Sequence, residues 1–245
     1  MNFLILQHLR LEDLGYLKDL MIRDDHRMHV VELDEGEKIP NHLDSYDGMI
    51  CMGGPMDTWM EAEYPWLIDE KQRIREFVVE QQKPFLGVCL GCQLLGEAVG
   101  GDIVRSTLPE IGVLDVHLST EAKQDKLFST FPKSVKALQW HSYEISNLEN
   151  HPHVTLLASS SNTKYQAFRY RSHAYGVQFH VEIRADTVRS WGAIPEYKSA
   201  LEKELGVNAL TEIDNLATTN MREMNFHASL LYDGFIQLAR KINNQ

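Results

Sequence analysis

One short segment constrains the fold of this 245-residue chain more than any other. The apolar run 84–88 leads into Cys89, which stands between Gly87 and Gly91, and residues 92–99 have a helical pattern. A cysteine at such a turn needs unusual backbone angles, and the neighbouring glycines leave room for them. The free N–H groups at the start of the helix would then lie near the sulfur and favour its thiolate form. The segment therefore predicts a cysteine nucleophile at the end of a strand.

A second segment supplies the groups that such a nucleophile requires. A cysteine nucleophile needs a base, and the base needs a partner that fixes its orientation. Residues 175–182 alternate like a strand, so His180 and Glu182 project from the same face. Strands of a parallel sheet end at one edge, which can bring these side chains to Cys89 despite their separation in sequence. We predict that Cys89, His180 and Glu182 are catalytic.

Two other interpretations of these residues remain open. Cys89 and Cys92 have the C-x-x-C spacing of thiol redox proteins, but redox chemistry would leave the later His-x-Glu pair without a role. A metal site is the second alternative, although no compact pair of ligands such as H-E-x-x-H is present. Its ligands would come from Cys51, His141, His180 and Glu182. We expect no metal and no cofactor, and we interpret Cys92 as a core residue.

The pattern of apolar residues predicts an α/β protein. Strands alternate with helical stretches through the first hundred residues, which indicates a parallel sheet. The middle of the chain is rich in strands that follow one another closely, so antiparallel neighbours are expected there. These strands are predicted at residues 112–118, 135–145, 154–159, 165–170 and 174–181. Residues 185–244 have a largely helical pattern.

Composition limits the classes of partner. The chain is 43% hydrophobic and 24% charged, and it has no Gly-, Ser- or Pro-rich linker, so we expect residues 1–245 to form a single domain. A formal charge of −11 argues against nucleic acid as a partner. No segment is long and apolar enough to predict a membrane span. Three cysteines suggest no disulfide framework, and the predicted location is the cytoplasm.

The two motifs together resemble a known family. Residues 87–93 and 180–182 are similar to the G-x-C-x-G-x-Q and H-x-E motifs of the class I, or triad, glutamine amidotransferases. The resemblance extends over nearly the whole chain. It is closest to a stand-alone branch related to the amidotransferase domain of GMP synthetase, on the basis of residues 64–66, 110–112 and 139–141. One departure is Val181, which stands where the family often has proline.

The resemblance implies roles for further residues. Residues 52–56 look like the glycine loop of the family, so Gly53, Gly54 and the N–H group of Leu90 would form an oxyanion hole. Gln93 would position the amino acid end of the substrate. The same substrate pocket would include His141 and Tyr143.

The resemblance also implies a fold and a reaction. The fold is a three-layer α/β/α sandwich with a mostly parallel, flavodoxin-like central sheet, a small antiparallel β part and a helical C-terminal tail. The reaction is cleavage of a γ-glutamyl amide through a cysteine thioester. Its substrate would be glutamine or a γ-glutamyl compound, and its possible partner a synthetase or another acceptor protein. Two alternatives are a γ-glutamyl peptidase acting on glutathione-like compounds and a non-catalytic partner or regulatory subunit.

Overall fold

A computed structural model of the protein describes residues 1–244 and shows one mixed sheet flanked by helices. The strands in this part of the chain are β1 (Asn2–Gln7), β2 (Arg27–Glu32), β3 (Gly48–Cys51), β4 (Phe85–Val88), β5 (Asp102–Leu118), β6 (Ser134–Ser146), β7 (Val154–Ser159), β8 (Ala167–Tyr170) and β9 (Ala174–Val177). The α-helices are α1 (Tyr16–Arg23), α2 (Trp66–Arg75), α3 (Leu90–Ala98), α4 (Thr187–Trp191), α5 (Pro195–Leu205) and α6 (Ala209–Asn243). A π-helical turn, Glu76–Glu80, extends α2, and a short 3₁₀ helix spans Glu121–Gln124.

The sheet has two halves that meet at β9. Its strand order is β2-β1-β3-β4-β9-β8-β7-β5-β6. The first five strands are parallel, in the flavodoxin-like order, whereas every pairing from β9 to β6 is antiparallel. The α/β class is therefore confirmed, but the expectation of a mostly parallel sheet with a small antiparallel part is partly wrong. The closely spaced strands after α3 continue the same sheet because short connections return the chain to the neighbouring strand.

Side-chain alternation along the central strands explains the layers. In β1, Phe3 and Ile5 belong to the apolar core on one face of the sheet, while Leu4 and Leu6 belong to the core on the other. Residues of α1 and α6 complete the first core, and residues of α2 and α3 complete the second. Because both faces are covered, the arrangement is a three-layer sandwich. That residues 1–245 form a single domain stays a prediction.

Two of the differences between the predicted and the observed strands have a visible cause. The predicted strand 174–181 ends at Val177, because the chain then leaves the sheet and His180 exchanges two backbone hydrogen bonds of 2.9 Å with Leu138. β5 is one long strand whose register against β6 shifts between Arg105 and Glu110. Pro109 lies within this shift and has no N–H to donate, which is consistent with a local irregularity.

The helical pattern predicted for residues 185–244 corresponds to α4, α5 and α6. In residues 1–244, no helix combines the length and the apolar character that crossing a membrane requires.

Candidate active site

Cys89 occupies the sharp turn between β4 and α3. Its backbone angles are φ 51° and ψ −104°, in the left-handed region that side chains rarely adopt. Two hydrogen bonds hold the turn: Cys89 N–H donates to Val177 O at 2.9 Å and Gly91 N–H donates to Met52 O at 3.1 Å. A strained, well-fixed cysteine between a strand and a helix is the geometry predicted for a nucleophile.

The flanking glycines are required by close backbone contacts. A Cβ atom added to Gly87 would lie 2.3 Å from Gly91 O, and one added to Gly91 would lie 2.1 Å from Cys51 O. No side chain fits at these distances. The first turn of α3 therefore packs directly against β3 and β4, which sets the position of the sulfur.

The structure brings His180 and Glu182 to Cys89. His180 Nδ1 lies 2.6 Å from Glu182 Oε1, and the second carboxylate oxygen accepts the N–H of Val181 at 2.9 Å. A carboxylate accepts, so Nδ1 carries the proton and the other ring nitrogen is left to act on Cys89. The imidazole is buried, with 1% of its residue surface exposed.

Glu182 also changes the proton affinity of His180. Burial lowers the pKa of His180, but the charge of Glu182 and hydrogen bonds to Cys89 and Glu182 outweigh burial and raise that pKa well above its ordinary value. An imidazole with a raised pKa can accept and hold a proton from the adjacent thiol. The arrangement is thus chemically suited to general acid–base work beside a sulfur nucleophile.

The predicted glycine loop, residues 52–56, lies against Cys89 and His180. A Cβ atom on Gly53 would be 3.2 Å from His180 Cε1 and 3.5 Å from Cys89 Cβ, and one on Gly54 would be 3.0 Å from Leu90 Cδ2. Within residues 1–244, the N–H groups of Gly53, Gly54 and Leu90 donate to no other protein group. Free N–H groups beside a nucleophile are the donors that an oxyanion would need.

A cavity of about 200 Å³ opens beside Cys89. Six of the nine predicted site residues line it: Gly54, Cys89, Leu90, Gln93, His141 and Tyr143. The other three are buried: Gly53 lies against Cys89 and His180, and Glu182 contacts His180. The structure therefore gathers all of the predicted residues in one place, around the sulfur.

Two of the lining residues are engaged within the protein. Gln93 Nε2 donates to the backbone oxygen of Tyr143 and to Gln178 Oε1, both at 3.2 Å. His141 Nδ1 donates to the same Tyr143 oxygen at 3.0 Å, and its Nε2 lies 3.3 Å from Glu110 Oε2. These contacts fix the wall of the cavity, where the amide N–H groups of Gln93 are satisfied within the protein.

Gln178 is a site residue that the sequence analysis missed. Its Nε2 donates to Cys89 Sγ at 3.6 Å, and its Oε1 accepts from Gln93. The signal was available, because the alternation that aligned His180 with Glu182 also places Gln178 on the same side of the chain. A carboxamide that contacts the sulfur would restrict its rotamer.

The helices after residue 185 also contribute to the site, which the sequence analysis did not foresee. The ring of Trp191 packs edge-on against His180, with centroids 4.6 Å apart, and its Nε1 donates to Leu11 O at 3.1 Å. Tyr197 of α5 donates its hydroxyl to Glu12 Oε1 at 2.6 Å and lines the cavity. These contacts close one side of the site and bury His180.

Glu12 is the most perturbed carboxyl of this region. Burial raises the pKa of Glu12 from 4.5 to about 7, and the hydrogen bond from Tyr197 and the nearby His180 only partly oppose this. Its Oε2 has no hydrogen-bond partner in residues 1–244. The neutral form is therefore favoured in the folded protein up to about neutral pH.

We expect Glu12→Gln to weaken the pH dependence of stability. Because the folded protein keeps the Glu12 proton between pH 4.5 and about 7 while the unfolded chain releases it, this group lowers the unfolding free energy as pH rises through that interval. The contribution is at most about 1.4 kcal/mol per pH unit. Urea unfolding should show that the unfolding free energy decreases less between pH 5 and pH 7.5 in the variant than in wild type. The control is the exposed Glu35→Gln, and equal losses in Glu12→Gln and wild type would contradict the assignment.

The other two cysteines are placed differently from Cys89. Cys51 and Cys92 are fully buried, and burial raises the pKa of each thiol well above its ordinary range. Both therefore stay protonated. Cys92 packs in the core between α3 and the sheet, near Gly176, as the sequence interpretation expected. A dithiol redox pair would require an accessible, ionisable second cysteine.

Comparison with known proteins shows the family of this chain. The model of the family described as glutamine amidotransferase class-I matches residues 16–189. The chain is 27% identical over 192 residues to the glutamine amidotransferase-like protein YfeJ of Salmonella typhimurium, covering 78% of each. It is 31% identical over 149 residues to a subunit of the glutamine-hydrolyzing GMP synthase of Sulfurisphaera tokodaii, covering 60% of this chain and 73% of that one.

A solved structure shares the whole architecture. The crystal structure of a glutamine amidotransferase from Thermotoga maritima superimposes with a TM-score of 0.81 at 29% identity, and the match covers 98% of both chains. The family match spans most of the sheet and includes Cys89, His180 and Glu182. The chain belongs to the class-I glutamine amidotransferase family.

Proposed function

We propose that the protein hydrolyses the side-chain amide of glutamine through a γ-glutamyl thioester on Cys89. The observation that carries this proposal is the strained Cys89, which lies with His180 against Gly53, together with the hydrogen bond that holds His180 to Glu182. Such a chain of nucleophile, base and orienting carboxylate is the general arrangement for acyl transfer. Membership of the glutamine amidotransferase family supports glutamine as the proposed acyl donor.

The proposed first half-reaction forms the thioester. His180 accepts the thiol proton while Cys89 Sγ attacks the amide carbon of the substrate. The tetrahedral intermediate collapses when the C–N bond breaks, and His180 donates its proton to the departing nitrogen, which leaves as ammonia. Glu182 keeps the Nδ1 proton in place, so the reacting nitrogen of the imidazole faces the sulfur throughout.

The second half-reaction releases the product. His180 removes a proton from water as the water oxygen attacks the thioester carbon, the C–S bond breaks, and glutamate leaves as the thiol regains its proton. Negative charge develops on the substrate oxygen in both halves. The N–H groups of Gly54 and Leu90 are the proposed donors to this oxygen, with Gly53 completing the loop. Loss of one such donor costs about 3 kcal/mol of barrier in a comparable hole.

The cavity supports a small substrate. A volume of about 200 Å³ suits one amino acid side chain with its backbone atoms. We propose that the substrate lies along Gln93, His141 and Tyr143, although hydrogen bonds within the protein already use the amide N–H groups of Gln93. The role of Gln93 is then to shape the wall and to orient Gln178.

A partner that uses the ammonia is a further part of the proposal. Several relatives are subunits of glutamine-hydrolyzing GMP synthase, which by name act with another subunit. By analogy, a synthetase or another acceptor protein would receive the ammonia released at Cys89. The cytoplasmic location and the absence of nucleic acid partners stay predictions.

The test of the proposed function compares substrates on the purified protein. We expect glutamine to be converted to glutamate and ammonia in equal amounts, with a faster rate than γ-glutamyl dipeptides, measured by coupled assays of both products. Faster cleavage of the dipeptides would favour the γ-glutamyl peptidase alternative. Absence of turnover with either substrate, together with no acyl adduct by intact-mass spectrometry, would contradict the proposed reaction.

A further inference from the structure

A buried polar cluster lies behind the glycine loop and has no part in the reaction steps above. It consists of His8, Cys51 and Glu70, and none of the three is exposed to solvent. They come from the residue after β1, the last residue of β3 and the middle of α2. Glu70 Oε1 lies 2.8 Å from His8 Nε2 and accepts the thiol of Cys51 at 3.3 Å. We call this set the His8 cluster.

The other side of the His8 ring contacts the glycine loop. His8 Nδ1 lies 2.9 Å from the carbonyl oxygen of Gly53. A carbonyl oxygen only accepts, so Nδ1 carries a proton and donates it. Its Nε2 lies 2.8 Å from the carboxylate oxygen of Glu70, which also accepts, and the charge and hydrogen bond of Glu70 raise the pKa of His8 against the lowering effect of burial. His8 is therefore a charged donor held between Glu70 and Gly53.

Because the peptide bond is planar, the hydrogen bond from His8 to the Gly53 oxygen also fixes the direction of the Gly54 N–H group. In a trans peptide the C=O of Gly53 and the N–H of Gly54 point in opposite directions, and no cis peptide occurs in residues 1–244. The Gly53 oxygen points to the buried His8 ring, so the Gly54 N–H points away from it. Gly54 lines the cavity beside Cys89. A peptide between two glycines could otherwise rotate easily, because neither residue has a side chain to limit φ and ψ.

We propose that His8, oriented by Glu70, is a positioning residue that holds the Gly53–Gly54 peptide with its N–H directed at the oxyanion of the reaction. This inference rests on the proposed function. It has a consequence for regulation: the oxyanion site is already formed in the protein alone, without a partner protein. His8 itself does not touch the substrate.

A metal site is the competing interpretation of the His8 cluster, because its three potential ligand atoms all lie within 4.8 Å of one another. The contacts favour hydrogen bonds. Ligands at about 2.0–2.3 Å from a tetrahedral ion would be roughly 3.3 Å or more apart, whereas His8 Nε2 and Glu70 Oε1 are 2.8 Å apart. Burial also raises the pKa of the Cys51 thiol, so the sulfur keeps the proton that it donates to Glu70.

Two amide substitutions separate the two contacts of His8. In His8→Asn, the side-chain NH₂ group takes the place of Nδ1 and can donate to Gly53 O. In His8→Gln, the NH₂ group takes the place of Nε2 and can donate to Glu70 only. We expect His8→Asn to keep kcat for glutamine within about fivefold of wild type and His8→Gln to lose about 10²-fold, the size of effect seen when one oxyanion donor is lost. KM should change less than about threefold in both variants, because the donor acts on the transition state.

Alkylation by iodoacetamide supplies the readout that distinguishes positioning from damage to the nucleophile. This reaction needs the sulfur of Cys89 but no oxyanion donor, and the other two cysteines are fully buried. We expect wild-type alkylation rates in both amide variants, with Cys89→Ala as the blank. Thermal unfolding of each variant checks that the assay temperature lies below its transition.

Each outcome decides between the alternatives. Equal kcat values for His8→Asn and His8→Gln, or a larger loss in His8→Asn, would overturn the inference while wild-type activity still supported the proposed function. An inactive wild type would overturn the proposed function and this inference with it. We expect dialysis against EDTA to leave kcat unchanged, and a loss that Zn²⁺ restores would show that the His8 cluster holds a metal instead.

Discussion

Replacement of Cys89 by alanine is expected to lower kcat for glutamine by at least about 10³-fold. The proposed thioester cannot form without the sulfur, and the remaining oxyanion donors and cavity would support only weak, non-covalent catalysis. Glutamate and ammonia release would be measured together, and intact-mass spectrometry of wild type during turnover should detect a transient adduct that the variant lacks.

The matched control for this experiment is Cys92→Ala. Cys92 lies three residues further along, in the first turn of α3, and is fully buried. Its replacement leaves a small cavity near Gly176 and should reduce stability more than activity. Equal turnover in wild type and Cys89→Ala would show that another group performs the chemistry. A large loss of kcat in Cys92→Ala with Cys89 still reactive to iodoacetamide would revive the redox interpretation.

Replacement of His180 by alanine should also reduce kcat by about three orders of magnitude or more with folding intact. The base that takes the thiol proton and protonates the leaving nitrogen would be missing, and both half-reactions use it. The ring is enclosed by Trp191 and Glu182, so water or buffer has little access to take its place. Partial rescue by added imidazole should therefore be weak.

The activities expected for variants of His180 and Glu182 distinguish the base from the carboxylate that orients it. Glu182→Gln should retain about 10- to 100-fold more activity than His180→Ala, because the imidazole remains but loses the carboxylate that fixes its tautomer and raises its pKa. The exposed His153→Ala is the control for a histidine outside the site. A near-normal rate in His180→Ala would contradict the assignment of the base.

The His8 cluster and the C-terminal helices extend the site beyond the residues that react. If the Gly53–Gly54 peptide is held from inside the protein, glutamine hydrolysis does not have to await a partner. Glu12 and Tyr197 connect the region next to Gly53 to α5, which lies outside the segment that the family model matches. The shape of the cavity in this protein therefore depends on α5 as well as on the matched segment.

Local sequence determined the nucleophile turn and the alternation of elements. Gly87 and Gly91 mark a place where backbones touch, and the strand pattern before Cys89 fixes which end of the sheet carries the sulfur. The two-residue spacing of His180 and Glu182 predicted that they lie on one side of the chain, and they form a hydrogen bond although the strand itself ends at Val177. These features depend on neighbours within a few residues, so a sequence pattern can reveal them.

The strand pairing after β9 and the polar contacts behind the site were decided only by the tertiary structure. The number of antiparallel strands depends on which strand pairs with β9, a long-range choice that no local pattern records. The contacts of His8 with Glu70 and of Glu12 with Tyr197 join residues 62 and 185 positions apart. Burial raises the pKa of Glu12, whereas Glu70 raises the pKa of His8 against the effect of burial, and both causes are properties of the assembled sandwich rather than of any one segment.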